Sequence, residues 1–267
     1  MVLAVAGYAA IRFGVVPRTE AWSLVGADAD GAMLWTTLSV SNTGLLDGQL
    51  TTGVLLLPPG PDLLEHRAMW GPTTLGDDGV RSGPDALVAV PGGWELRVGG
   101  DGLGARVQAR GAVAGCPPEV GHMAGVIEDR IDGRVLSGPA VVVRTAVAGH
   151  AEGAALYVLG QGFAAGIEPT SDCPAWVRTA TETWTGAASA FPVARGTTLT
   201  LGAWTLTFRA AGEAMEQDGW AHVLLGERWV ARAFGFRPPL TDVRRAVVRV
   251  DGPGAGLLAP ALVVERR

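Results

Sequence analysis

The stretch WSLVGADADGAMLW, residues 22–35, places a tryptophan at each end of two apolar runs joined by Asp28-Ala29-Asp30-Gly31. Residues 21–27 and 32–41 are apolar or β-branched, and a short Asp/Gly link between two such runs is a strong local signal for a β-hairpin. Working outward, residues 50–57 form a third run, which stops at Pro58-Pro59-Gly60-Pro61, where a central strand cannot continue. An irregular stretch surrounds Trp70, and residues 86–90 then lead through Gly92-Gly93 into residues 94–98, where apolar and charged side chains alternate. That period of two marks a half-buried strand. Gly99-Gly100-Asp101-Gly102 invites comparison with a dinucleotide loop, but residues 103–110 alternate again as a strand where such a loop requires a helix.

The second half repeats the pattern. Residues 139–147 and 154–159 read as apolar strands, and 177–185 as a mixed one with Trp176 and Trp184 near its ends. Residues 197–201, 204–210, 221–225 and 228–236 suggest a second sheet, followed by 243–250 and 257–264, while the acidic run 213–218 reads as a solvent-facing hairpin tip. Roughly 12 to 16 short strands separated by close turn signals predict an all-β fold of the sandwich or barrel type. A short internal echo supports two β units. Residues 92–102 and 202–212 both set tryptophan just after glycine at the head of an alternating strand.

Composition agrees with this. The chain of 267 residues has 39 glycines and 17 prolines, with 48% hydrophobic against 18% charged residues, which excludes charge-driven disorder and disfavours a long-helix bundle. All 21 basic residues are arginine, yet the net charge is −5 and no basic block occurs, so no nucleic-acid partner is expected. Cys116 and Cys173 either pair or stay free. No CxxC spacing or Cys/His cluster is present, so no metal site is expected, nor is any cofactor. Residues 1–16 are apolar apart from Arg12, shorter than a bilayer span and without a basic leader. A docked strand or helix is the first reading, with a degenerate signal or a membrane anchor, and so membrane association through this stretch, as the alternative. The compartment is not fixed by these features.

The nine tryptophans are the most informative residues, because an indole buries a large apolar area while its N–H seeks a partner. Trp35, Trp94 and Trp204 sit on alternating strands and are expected in the core or a cavity wall, and Trp70, beside Met69 in a Gly/Pro-rich loop, at a cavity mouth. The histidines His66, His122, His150 and His222 lack zincin spacing, and no G-x-S-x-G elbow accompanies them. His122, near Glu119, Met123 and Glu128, reads first as a polar loop residue and second as an acid or base in an apolar cavity. Residues 128–134 read as a solvated turn, and Asp28-x-Asp30-Gly31 lacks the remaining ligands of a calcium loop.

Trp22, the Asp-Gly turn, the strand ending Ser39-Val40-Ser41-Asn42 and the third strand running into a Pro-Gly turn resemble the opening of the duplicated lipocalin-like proteins. That group takes in bacterial carotenoid hydratases, AttH-type proteins and fungal survival-factor proteins. GPAVVVRTAVAG followed by GAALYVLGQGF and Trp176 resembles the passage from the first barrel to the second. The resemblance implies two tandem lipocalin-like antiparallel barrels or sandwiches, residues 1–140 and 141–267, enclosing apolar cavities. Carotenoid hydratases are expected to open with Trp-Trp-Tyr and to carry a histidine within Tyr-x-x-His-x-Trp-Gly. This chain has Ala21-Trp22-Ser23 and Tyr157-Val158-Leu159-Gly160-Gln161-Gly162, so no catalytic residue is carried over. The expected function is binding of a small apolar molecule, lipid or isoprenoid-like, by Trp35, Trp70, Trp94, Trp204 and His122. The alternatives are a cofactor-independent hydratase or cyclase of an isoprenoid-like substrate, which needs a buried proton donor, and a structural or interaction β-sandwich without ligand.

Overall fold

A computed structural model describes residues 18–41, 48–56, 61–69, 73–99, 104–128, 133–148, 153–189, 191, 193–217, 241–253 and 255–266. Among these residues all regular structure is strand. In the first sheet the strands are β1 (Arg18–Ala27), β2 (Met33–Ser41), β3 (Gly48–Leu56), β4 (Pro61–Met69), β5 (Thr73–Gly76), β6 (Gly79–Ser82), β7 (Asp85–Val90), β8 (Gly93–Val98), β9 (Gly104–Arg110), β10 (Gly121–Glu128) and β11 (Gly133–Ala148). The second sheet holds β12 (Gly153–Gly160), β13 (Phe163–Ile167), β14 (Ala175–Thr179), β15 (Thr183–Gly186), β16 (Thr198–Leu201), β17 (Trp204–Ala211), β18 (Met215–Gln217), β19 (Thr241–Gly252) and β20 (Ala255–Arg266).

The opening hairpin forms as its sequence predicts. Strand β1 pairs antiparallel with β2, Val25 opposite Trp35. Asp28 Oδ1 accepts the backbone N–H groups of Asp30 and Ala32 at 3.0 Å each, and Gly31 takes φ +79°. The second oxygen of Asp28 accepts from Arg134 of β11 at 3.1 Å, and Arg245 of β19 donates to Gly31 O at 2.7 Å. The turn is thus held by its own sheet and by the other one, and both Asp28 oxygens are occupied by protein donors.

Both units share one plan. The strand order is β4-β3-β2-β1-β11-β10-β9-β8-β7-β6-β5 in the first sheet and β15-β14-β13-β12-β20-β19-β17-β16 in the second, with β18 also on β19. In each, a four-stranded meander opens the unit and its first strand pairs with the last, β1 with β11 and β12 with β20. The first sheet curls so that Trp22 of β1 donates its indole N–H to Gly76 O of β5 at 3.2 Å. The edges of the second approach through Trp184 of β15, whose ring lies against Gly202 in the β16–β17 turn.

Several elements differ from the sequence expectation. Residues 141–148, set with the second unit on sequence, lie in β11 and pair with β1 in the first sheet. Residues 177–185 are two strands, because Thr179 Oγ1 accepts the N–H groups of Thr181 and Glu182 and turns the chain. The acidic run 213–218 contributes β18, which pairs with β19 at Met215–Val243. His122, read on sequence first as a polar loop residue, lies near the start of β10. A Cβ on Gly125 would stand 2.3 Å from Arg106 O, so glycine there permits close backbone approach to β9. Trp70 lies outside the described residues, between β4 and β5, as do residues 1–16, 221–225 and 228–236. Among the described residues no helix is long and apolar enough to cross a membrane.

Period-two alternation sorts the apolar side chains into three clusters. Trp22, Leu24, Leu34, Leu38, Trp94 and Leu96 are among those inside the first curled sheet. Phe163, Trp204, Leu206, Phe208, Val248 and Val263 are among those inside the second. The third cluster is the seam between the outer faces, where Val25, Met33, Trp35 and Val141 meet Tyr157, Trp176, Leu262 and Val264. A Cys116–Cys173 disulfide, with Cα atoms 5.0 Å apart, fastens the seam covalently, and Ala146 N–H donates to Thr170 O across it at 3.0 Å.

Candidate functional site

The interior of the first sheet is built around paired indoles. Trp22 and Trp94 stand 4.7 Å apart between ring centroids at 35°, with Trp94 only 5% exposed. The Arg144 guanidinium sits 5.7 Å above the Trp22 ring and is held by Asp77 at 2.7 Å and Glu20 at 3.5 Å, so a cation–π contact closes this end. Thr36 shares this face with Leu34 and Leu38 and stands opposite Leu24. Its hydroxyl is buried and has no hydrogen-bond partner.

In the second interior Trp204 is 3% exposed and packs over Gly252, where a Cβ would come within 2.3 Å of the ring. Phe191 and Phe208 stack at 6.2 Å in the same cluster. The Trp204 indole N–H is buried without a partner. Toward the other end of β19 the same inward face changes character. Asp242 and Arg244 alternate in phase with Ala246, Val248 and Val250, and Asp242 pairs in register with Glu265 of β20. Asp242 is 2% exposed, and Arg244 forms an ion pair with Glu265.

The outward face of this sheet carries a buried polar network within the seam. Glu168 accepts Arg266 Nη1 and Nη2 at 2.8 and 3.0 Å, Thr170 Oγ1 at 2.6 Å and the Tyr157 hydroxyl at 3.1 Å. Burial alone would raise the Glu168 carboxyl, but the Arg266 charge and the hydrogen bonds from Arg266, Thr170 and Tyr157 outweigh it and hold the group below the usual carboxylate range. Burial and then the neighbouring Glu168 charge push the Tyr157 phenol well above its ordinary value. With every oxygen of Glu168 engaged by protein donors, this network is structural.

Where the two units meet at the surface, an open cleft of about 320 Å³ lies between the β10–β11 face and the β12–β13 turn. His122 lines it and shares a 3.0 Å hydrogen bond with Ser137. Gln161 and Arg178 line it as well, the latter 3.5 Å from Glu119.

The residues singled out on sequence therefore fall in different places. Trp94 and Trp204 lie inside the first and second sheets, Trp35 in the seam and His122 in the surface cleft. Thr36, Asp242, Arg244 and Arg178 were not singled out. The pattern Thr-Asp-Val-Arg-Arg-Ala-Val-Val carried a signal for two of them, since a period of two puts Asp242 and Arg244 on the apolar face. Arg178 and Glu119 come together only through the docking of the two sheets.

No protein-family model matches the chain, and no curated protein matches it in sequence. Among solved structures it is similar to a protein assigned as AttH from Nitrosomonas europaea, with a TM-score of 0.56 and 14% identity over 92% of this chain and 92% of that one. Kievitone hydratase from Nectria haematococca is also similar, with a TM-score of 0.48 and 8% identity over 93% and 88%. With the strand topology, the likeness to the Nitrosomonas protein shows the fold to be that of tandem lipocalin-like barrels. That likeness spans both sheets.

Proposed function

We propose that the protein binds a small apolar molecule, of lipid or isoprenoid type, inside its curled sheets, with Trp204 and Trp94 as aromatic walls. The observation that carries this reading is the buried indole N–H of Trp204, left without a partner among the apolar side chains of its cluster. Buried donors are nearly always satisfied, and small-molecule sites combine apolar walls with a few polar groups that orient the guest. The buried hydroxyl of Thr36 offers the same combination in the first interior. Native mass spectrometry of gently purified protein tests the reading, together with tryptophan emission titrated with a fatty acid and an isoprenoid alcohol. A co-purified apolar molecule and a saturable emission change that W204F diminishes are expected. An empty protein with no probe-dependent change overturns it.

A second reading, hydration or cyclisation of an isoprenoid-like substrate, draws on the inward carboxylates. Proton transfer to an apolar substrate needs an acid held away from bulk water, and Asp242 is buried on the apolar face directly opposite Glu265. D242N would then retain binding of the isoprenoid probe and abolish its turnover. Equal turnover by D242N and the parent chain removes this reading.

A further inference from the structure

The surface cleft between the two units presents chemistry unlike that of the interiors. Its polar side chains come from both sheets. The His122 imidazole belongs to β10, Arg178 to β14, and Gln161 to the turn from β12 to β13, where Gly162 takes φ +72°. Val120 and Pro139 supply an apolar wall beside them. The Arg178 side chain is 31% exposed, and its only described anion is Glu119, at 3.5 Å and itself 51% exposed. Such a pair is loose and open to competition by an incoming anion.

We propose that this cleft is a binding site for a small organic carboxylate with a short apolar body. The carboxylate is received by Arg178 with support from Gln161 and His122, and the body lies on Val120 and Pro139. Three observations lead to this class of ligand. A planar guanidinium matches a carboxylate, with two parallel N–H donors. The Gln161 amide and the His122 imidazole line the same cleft as further hydrogen-bond donors. The volume of about 320 Å³ lies at the small end of the range for ligand sites, too small for a long-chain lipid. The walls are held at a fixed spacing by the nearby disulfide, which ties the segment before β10 to the segment before β14. This site is separate from the interiors proposed above to hold an apolar molecule.

The test uses hexanoate and its neutral counterpart hexanamide, titrated into isotope-labelled protein and followed by amide NMR. Hexanoate is expected to give saturable shifts at Gly121, His122 and Gly162, and hexanamide to bind at least about tenfold more weakly. R178Q weakens hexanoate binding about tenfold, whereas E119Q, which frees Arg178, tightens it roughly threefold. Both positions are partly exposed, so the fold survives each change. Equal binding of hexanoate and hexanamide, shifts confined to other regions, or no change in either variant overturns the proposal. W204F moves the interior reading and leaves the cleft shifts in place, so the two readings fail separately.

Discussion

Replacing Glu168 by glutamine tests how the second sheet is fastened to the first. Glutamine is nearly isosteric and can still meet Thr170 and Tyr157, so the change removes chiefly the negative charge facing Arg266. Glu168 is 2% exposed on its side chain and Arg266 21%, with two contacts at 2.8 and 3.0 Å. Breaking a buried charge pair by removing one partner costs about 3–5 kcal/mol, because the other charge stays buried without compensation. Water reaches part of Arg266, which places the expected loss near the lower end, about 3 kcal/mol. For a chain of this size that corresponds to a fall in Tm of roughly 6–12 °C. Thr170, which Glu168 fixes, also accepts from Ala146 across the seam at 3.0 Å, so interdomain order should loosen as well. Thermal unfolding followed by circular dichroism measures the loss, and a cycle with R266Q separates the pair from its surroundings. The double variant should lose much less than the sum of the two single losses. A Tm within about 2 °C of the parent for E168Q would show that the network contributes little and that apolar packing alone holds the seam.

The same network sets a pH response. Because the Glu168 carboxyl is held low, its contribution is complete above the unfolded carboxylate range and disappears as pH falls through the depressed folded value, so the stability gap between parent and E168Q should persist at neutrality and close below about pH 4. Tyr157 is raised, so its contribution is complete below about pH 10 and is lost as pH rises beyond that; an alkaline absorbance titration should find one of the two tyrosines ionising only when the protein unfolds. Opening the Cys116–Cys173 link, which spans 57 residues, by C116S/C173S should cost about 4 kcal/mol in urea unfolding, and a loss below about 1 kcal/mol would place most of the seam's strength in its apolar contacts. G166A sets a methyl carbon 2.5 Å from the Trp176 ring, which covers that glycine from the facing strand. A loss of about 1–3 kcal/mol with an altered near-ultraviolet tryptophan signal is expected, and an unchanged signal would contradict the packing.

Much of the strand content was legible locally. The first hairpin needed only the Asp-Gly turn between two apolar runs, and Trp94-Glu95-Leu96-Arg97-Val98 displayed its inward face by alternation alone. Strand β10 was not legible because Gly121 and Gly125 interrupt the local strand pattern, whereas in the sheet they let neighbouring backbones approach. The break at Thr179 was equally hidden, since a threonine accepts backbone N–H groups only once the chain has turned. His122 was visible as a candidate, but its setting beside Ser137, Gln161 and Arg178 depends on residues from two sheets.

Patterning along the chain was sufficient for an all-β protein of two similar units rich in buried indoles, because alternation and turn chemistry act over a few residues and leave their mark in the order of side chains. Which face of each strand meets the other sheet, which cysteine reaches which, and which carboxylate lies inside a barrel were settled by the docking of distant segments. Trp35 shows the difference. Alternation along its strand sets it on the face opposite Leu34 and Leu38, but only the second sheet packed against that face buries it in a seam between two units.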